Sequence, residues 1–181
     1  GVFTPYKNAW LKALTPFHLK AYPVARYAGT LAGVPAEHAV PVPSLSDMGF
    51  EPTNLAQLAL PTGTSGAQAL FEDFVDRIDR YEDARNFPAV KGPSYLSAHL
   101  RFGTISIRHL ASVAYQMHLQ GIAGASTWLS ELVWRDFYHQ VLANFPHVVD
   151  KAFKPEYDAI KFEHGKQARE QFAAWCEGRT G

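Results

Sequence analysis

Apolar side chains recur at helical spacing in the chain from residue 64 onward. In the stretch TSGAQALFEDFVDRIDRYEDARN they stand at Leu70, Phe71, Phe74, Val75, Ile78 and Tyr81, with acidic residues between them. Recurrence every three or four residues is the pattern of the buried face of an amphipathic helix. We therefore predict one helix over this whole stretch.

Glycine, proline and hydroxyl residues divide the remainder of this region into further helices. The segment SYLSAHLRFG predicts a short helix ended by Gly103, and SIRHLASVAYQMHLQG predicts a longer one between Ser106 as N-cap and Gly121. We expect Ser126 to cap the next helix, which should end at Pro146. HGKQAREQFAAWCEGRTG predicts a last helix. Because no alternating strand pattern exceeds a few residues, the predicted fold class is all-α.

The first third of the chain has a different texture. Residues 1–64 contain eight of the twelve prolines, and proline opposes long helices. FTPYKNAWLKAL predicts one short helix, with Thr4 as N-cap and Pro5 at the first position. Residues 29–64 read as a long irregular connector, which is typical of a functional or domain-spanning segment. We expect 1–64 to be a connector with one short helix, and 65–181 to be a helical domain.

The segment WLSELVWRDFYHQVL, residues 128–142, is apolar on nearly every side, as in an enclosed helix. It nevertheless carries Glu131 and Arg135, four residues apart. These two can form an ordinary helical ion pair. Alternatively, their side of the helix lines a cavity and meets a polar ligand, since buried charges need partners. Trp134 and Tyr138 lie beside them and are either core residues or platforms for stacking a base.

The segment GPSYLSAHL places Ser94 and Ser97 at or near a helix N-terminus. Hydroxyl groups and free backbone N–H groups there suit an anion such as pyrophosphate. The alternative is an ordinary helix cap. Tyr81, at the end of the preceding helix, is either a core residue or a donor to the same anion.

Composition narrows the classes of function. The 17 basic and 17 acidic residues cancel, so charge gives no forecast of a nucleic-acid partner. The single cysteine, Cys176, leaves no disulfide framework and favours a reducing, cytoplasmic location. We expect no membrane segment and no metal site, because long apolar runs and the usual ligand spacings are missing. The common nucleotide-binding and hydrolase motifs are also missing from this sequence.

Three segments taken together resemble the photolyase/cryptochrome family, most closely the bacterial class I cyclobutane-dimer photolyases. They are YEDARNFPAVKGPSYLSAHLRFGTIS, WLSELVWRDFYHQVL and WCEGRTG, and VFTPYKNAW matches the inter-domain stretch of the family. The resemblance covers nearly the whole chain. It implies the first half of a multi-helical FAD-binding domain, preceded by an extended inter-domain segment. The implied activity is that of a deoxyribodipyrimidine photo-lyase, which repairs cyclobutane pyrimidine dimers by light-driven electron transfer from reduced FAD.

The resemblance also implies roles for individual residues. The FAD-binding positions are Tyr81, Pro93, Ser94, Tyr95, Leu96, Ser97, Trp128 and Arg135. The positions that face UV-damaged DNA are Glu131, Trp134, Arg135 and Tyr138, with the aromatic ring packed on the flipped dimer and the carboxylate on its base edge. Pro93 stands where the family often has Thr, so one hydroxyl and one N–H toward the phosphates are missing.

The resemblance implies that the chain is a fragment. We expect an α/β domain before residue 1, where a second, antenna chromophore can bind, and electron-transfer tryptophans beyond residue 181. The fragment alone should be inactive. Two alternatives to repair are a cryptochrome-like light sensor that binds FAD and a helical scaffold without a ligand. The lesion-facing set of Glu131, Trp134 and Tyr138 favours repair.

Overall fold

The computed structural model describes residues 2–180, apart from the side chains of residues 55 and 56. All the regular secondary structure of these residues is helical. The α-helices are α1 Phe3–Ala13, α2 Pro16–Leu19, α3 Gly63–Val75, α4 Tyr81–Ala84, α5 Ser97–Phe102, α6 Ile107–Leu119, α7 Ala123–Asn144 and α8 Gly165–Cys176. Turns of 3-10 helix lie at Ala25–Thr30, Ala36–His38, Asn54–Leu58, Ile78–Arg80, Pro146–Val149 and Pro155–Ala159. No strand occurs within the described residues, which confirms the all-α prediction.

Several predicted helix boundaries are confirmed. Gly103 follows α5 in the left-handed conformation, with φ of 68°, where a side chain would be strained. Ser106 is the N-cap position of α6, and α7 ends just before Pro146. No helix in the described part of the chain is long and apolar enough to cross a membrane.

The chain divides into two compact units, and the boundary between Arg135 and Asp136 falls within α7. The first unit contains the hydrophobic core, which joins α3, α4, α6 and the first part of α7. Its buried members are Phe71, Phe74, Ile78, Tyr81, Leu96, Leu110, Ala111, Ala114, Ala125, Trp128, Leu129 and Leu132. The second unit contains the end of α7, two 3-10 turns and α8, and none of its described residues is buried.

The predicted single helix over residues 64–86 is wrong, because α3 ends at Val75 and a 3-10 turn precedes α4. Arg77 leaves helical geometry, with φ of −130° and ψ of 9°. The turn brings its backbone against the start of α7: a Cβ on Gly124 would stand 1.8 Å from the Ile78 carbonyl oxygen. The break therefore lets two helices meet at a glycine, a contact that periodicity does not reveal.

Two predicted caps are also wrong. The helix α1 begins at Phe3 with Val2 as N-cap, so Thr4 and Pro5 lie inside its first turn. Proline is tolerated there because the first-turn N–H groups have no helical partner. The helix α7 begins at Ala123, so Ser126 lies within it and donates from Oγ to the Ile122 carbonyl, 3.1 Å away.

The prediction that α7 is enclosed along its length holds for only part of it. Trp128, Leu129, Leu132 and Val133 are buried, whereas residues 138–140 are exposed. The helix has apolar residues on most sides, but burial requires neighbouring elements, and these cover only its first half.

Candidate functional site

The first half of α7 presents different sides to different neighbours. Leu129 and Val133 face α1, where they line a cavity of about 90 Å³ together with Lys7 and Leu11. Glu131 lies midway between those two positions in sequence, about 200° round the helix from each. The Glu131 side of α7 is therefore opposite the side that lines this cavity.

Glu131 is paired with a residue that the sequence analysis did not select. Arg85, just after α4, donates from Nη1 to Glu131 Oε1 across 2.5 Å. Both side chains are about one-third exposed, at 35% and 38%. Hydrogen bonding to this carboxylate raises the pKa of Arg85. The carboxylate is thus held by a cation 46 residues away rather than by Arg135 on the same helix.

Arg135 is directed to another element. Its Nη2 donates to the carbonyl of Leu100 in α5, 3.2 Å away. Guanidinium groups have five N–H donors in a planar fork, so this bond leaves others to meet a ligand. The helix α5 begins at Ser97 and has six residues, so it is about 9 Å long. Ser97 is at its beginning, and Arg135 contacts it toward its end, at the Leu100 carbonyl.

Tyr81 and Trp128 both belong to the core. Tyr81 is 8% exposed and meets Phe74 edge to face, with ring centroids 5.4 Å apart. Burial raises the pKa of Tyr81, against the opposing effect of a hydrogen bond with Arg85. Trp128 is 3% exposed and lies 4.8 Å from Phe74, centroid to centroid. Both rings are fixed by packing, and Tyr81 adjoins the Arg85–Glu131 pair.

The segment Pro93–Ser97 is the loop that leads into α5. Leu96 is buried and anchors it, whereas Tyr95 is half exposed and has a positive φ of 57°, which is uncommon outside glycine. Ser94 Oγ accepts a long hydrogen bond of 3.4 Å from the Leu96 N–H. Ser97 is exposed at the first position of α5. As predicted, Ser97 is at the N-terminus of α5 and Ser94 lies near it. The Leu96 N–H at this terminus is already bonded to Ser94 Oγ.

Trp134 has a neighbour from the beginning of the chain. The ring of Phe3 stacks on it with centroids 3.6 Å apart and an interplanar angle of 7°. Trp134 is half-buried, and Tyr138, one turn further along α7, is 63% exposed. Glu131 and Arg135, four residues apart on α7, lie on the same side of that helix.

This arrangement has three chemical capacities. The serine hydroxyls and a guanidinium can bind an anion, a carboxylate about one-third exposed can accept hydrogen bonds, and large rings can stack on a planar ligand. No group of three or more histidine, cysteine, aspartate or glutamate side chains able to hold a metal is found in the described part of the chain.

The chain is similar in sequence to known photolyases. The family described as "FAD binding domain of DNA photolyase" matches residues 128–181. A deoxyribodipyrimidine photo-lyase of Vibrio cholerae is 34% identical over 99% of this chain and 38% of its own length. One from Neurospora crassa is 38% identical over 67% of this chain and 20% of its own length.

A solved structure also matches. The crystal structure of a bacterial class III photolyase from Agrobacterium tumefaciens superimposes with a TM-score of 0.74 and 28% identity. The match covers 98% of this chain and 36% of that one. The chain thus spans less than two-fifths of each of these relatives. Residues 128–181 thus belong to the FAD-binding domain family of DNA photolyases, and the chain as a whole is similar to photolyases in sequence and in fold.

Proposed function

We propose that the chain forms part of a DNA photolyase, a deoxyribodipyrimidine photo-lyase that repairs UV-induced cyclobutane pyrimidine dimers. The observation that carries the proposal is the α7 set: Glu131, Trp134 and Arg135 stand together on a helix that the family match includes. When bound, FAD in its reduced form would supply the light-driven electron transfer that splits the dimer. The residues of this chain bind and orient, as proteins do for cofactors that carry the difficult chemistry.

The donors of the chain fit the FAD that the family implies. Ser94 and Ser97 offer hydroxyl groups at the start of α5, where anions are favoured. Arg135 offers the remaining N–H groups of its fork beside the end of the same helix. Trp128 and Tyr81 would support the pocket from behind, since both are buried and rigidly packed. We propose that Pro93, Tyr95 and Leu96 complete the phosphate-binding segment through their backbone.

The same side of α7 would meet the damaged DNA. Enzymes that act on a base in duplex DNA take it out of the stack, and a flipped base then needs a surface and a partner for its edge. Trp134, whose ring Phe3 covers on one face, and Tyr138 would supply the aromatic surface. Glu131 would accept hydrogen bonds from the base edge. Arg85 would hold this carboxylate in its orientation through their 2.5 Å hydrogen bond.

The test uses the natural protein that contains this sequence. We expect it to purify with bound FAD, visible in its absorption spectrum, and to split dimers in an oligonucleotide only under illumination. Trp134→Ala should weaken binding to the dimer-containing oligonucleotide by about 1–3 kcal/mol, the usual contribution of a base–aromatic stack, while FAD stays bound. Trp175→Ala is the control, because Trp175 is 65% exposed on α8, and its affinity should be unchanged.

Two outcomes would contradict this function. A protein that binds FAD but ignores dimers with Trp134 intact is a light sensor. A protein that binds neither FAD nor dimers is a helical scaffold. Titration of the wild-type protein with FAD and with the oligonucleotide separates the two.

We also propose that the protein acts in the cytoplasm. Its one cysteine, Cys176, is free and exposed, which suits a reducing compartment. Membership of class I and the antenna chromophore stay predictions of the resemblance.

A further inference from the structure

A partly buried arginine outside the predicted site holds the segment that leads into α5. Arg77 donates from Nη1 to the carbonyls of Lys91 and Gly92, at 2.6 and 2.8 Å, and from Nη2 to that of Pro93, at 2.9 Å. Its side chain is 11% exposed. Three consecutive carbonyls therefore converge on one guanidinium, which fixes the path of the chain just before Ser94.

Two further features restrict the same segment. Asp73 lies 3.1 Å from the Arg77 guanidinium and 2.7 Å from Lys91 Nζ, so it links α3 to the loop. Gly92 is pressed against α4: a Cβ there would lie 2.4 Å from the Ala84 carbonyl oxygen. With one side closed by backbone and the other held by Arg77, the loop has little freedom to move as it enters residues 94–97.

We propose that Arg77 is a positioning residue for FAD, which sets the place of the Pro93–Ser97 segment and so of the hydroxyls that meet the FAD phosphates. This inference rests on the proposed function. Lysine at this position would be a poor substitute, because an ammonium lacks the planar fork that reaches three carbonyls at once. Arg77 itself need not touch FAD, since its donors are directed to the protein backbone.

The experiment is a double-mutant cycle on the FAD affinity of the natural protein, combined with amide hydrogen exchange. Arg77→Met should raise the Kd for FAD by about tenfold, equivalent to ~1.4 kcal/mol. In the Ser97→Ala background, Arg77→Met should raise the Kd for FAD much less, because Ser97 contributes fully only when the loop is in place. In the FAD-free protein, the amides of residues 94–97 should exchange faster in Arg77→Met. Arg80→Met is the control, because Arg80 is 75% exposed and its ion pair with the adjacent Asp79 is long, at 3.9 Å.

The outcomes are separable. If Arg77→Met weakens FAD binding equally with and without Ser97→Ala, its role is a general structural one and the inference is overturned. An unchanged Kd for FAD in Arg77→Met would overturn it as well. If Arg77→Met does not fold, Arg77→Lys replaces it in the same cycle and the same comparison decides. A wild-type protein that takes up no FAD would instead refute the proposed function, and the inference with it.

Discussion

The two units of the chain contain similar aromatic pairs in very different surroundings. In the first unit, Phe74 and Trp128 lie 4.8 Å apart and are both almost fully buried. In the second, Phe172 and Trp175 lie 5.7 Å apart on α8 and are 64% and 65% exposed. The residue types and the helical backbone are alike, so neither explains the difference. Burial depends on whether other elements are present to cover a ring.

The polar contacts of the two units differ in range. In the first unit, hydrogen bonds join Arg85 to Glu131 and Arg135 to Leu100, which are 46 and 35 residues apart. In the second, Ala152 donates to Asp158, six residues away. Long-range contacts are made only when the whole unit folds, whereas local ones stabilise single turns. We therefore expect substitutions in the first unit to have the larger effects on stability.

The largest expected effect tests this difference in burial. Phe74→Ala should lower the free energy of unfolding by about 3–5 kcal/mol, because it removes a fully buried ring and leaves a cavity. The matched change Phe172→Ala should alter it by about 0.5 kcal/mol or less. Urea unfolding followed by circular dichroism measures both. Similar losses from the two variants would mean that α8 is as well supported as the core.

A smaller effect should come from the stack at the beginning of the chain. Phe3→Leu should cost about 0.5–1.5 kcal/mol, the contribution of an aromatic pair beyond its buried area, since Phe3 lies parallel to Trp134 at 3.6 Å. Phe17→Leu is the control, as Phe17 is 70% exposed and meets the His18 ring edge to face. Thermal unfolding and Trp fluorescence follow both variants. An unchanged fluorescence in Phe3→Leu would contradict the stack.

The smallest expected effect is a dependence on acid. The hydrogen bond from Lys91, and to a lesser extent Arg77, holds the pKa of Asp73 below its ordinary value. A lowered folded pKa means that the stabilisation is complete above the ordinary value of about 3.9 and is lost as pH falls through the folded pKa. Asp73→Asn should therefore destabilise the protein near pH 7, and this loss should shrink as pH falls through the folded pKa of Asp73.

The second unit supplies the control for this acid dependence. Glu170 pairs with Lys166 four residues earlier, at 3.7 Å and with both side chains largely exposed. Glu170→Gln should cost about 0.5 kcal/mol or less at neutral pH, as for most exposed pairs. Urea unfolding of both variants across the acid range makes the comparison. A loss in Asp73→Asn that is the same at every pH would show that the carboxylate charge is not what stabilises the loop.

Local sequence was enough to determine much of the helical framework and the family. Gly103 and Pro146 ended their helices as predicted, because a left-handed φ and a missing N–H act on the chain wherever it folds. The motifs around Ser94 and Glu131 indicated the family from sequence alone, because each motif is a short, continuous piece of sequence.

Tertiary structure decided the partners. The spacing of Glu131 and Arg135 allowed an ion pair on α7, but folding brought Arg85 to the carboxylate and the Leu100 carbonyl to the guanidinium. The close approach of the Ile78 carbonyl to α7 likewise requires Gly124, far along the chain. Periodicity records which side of a helix is apolar. It does not record which distant group will meet a charge, because that depends on how the helices pack in three dimensions.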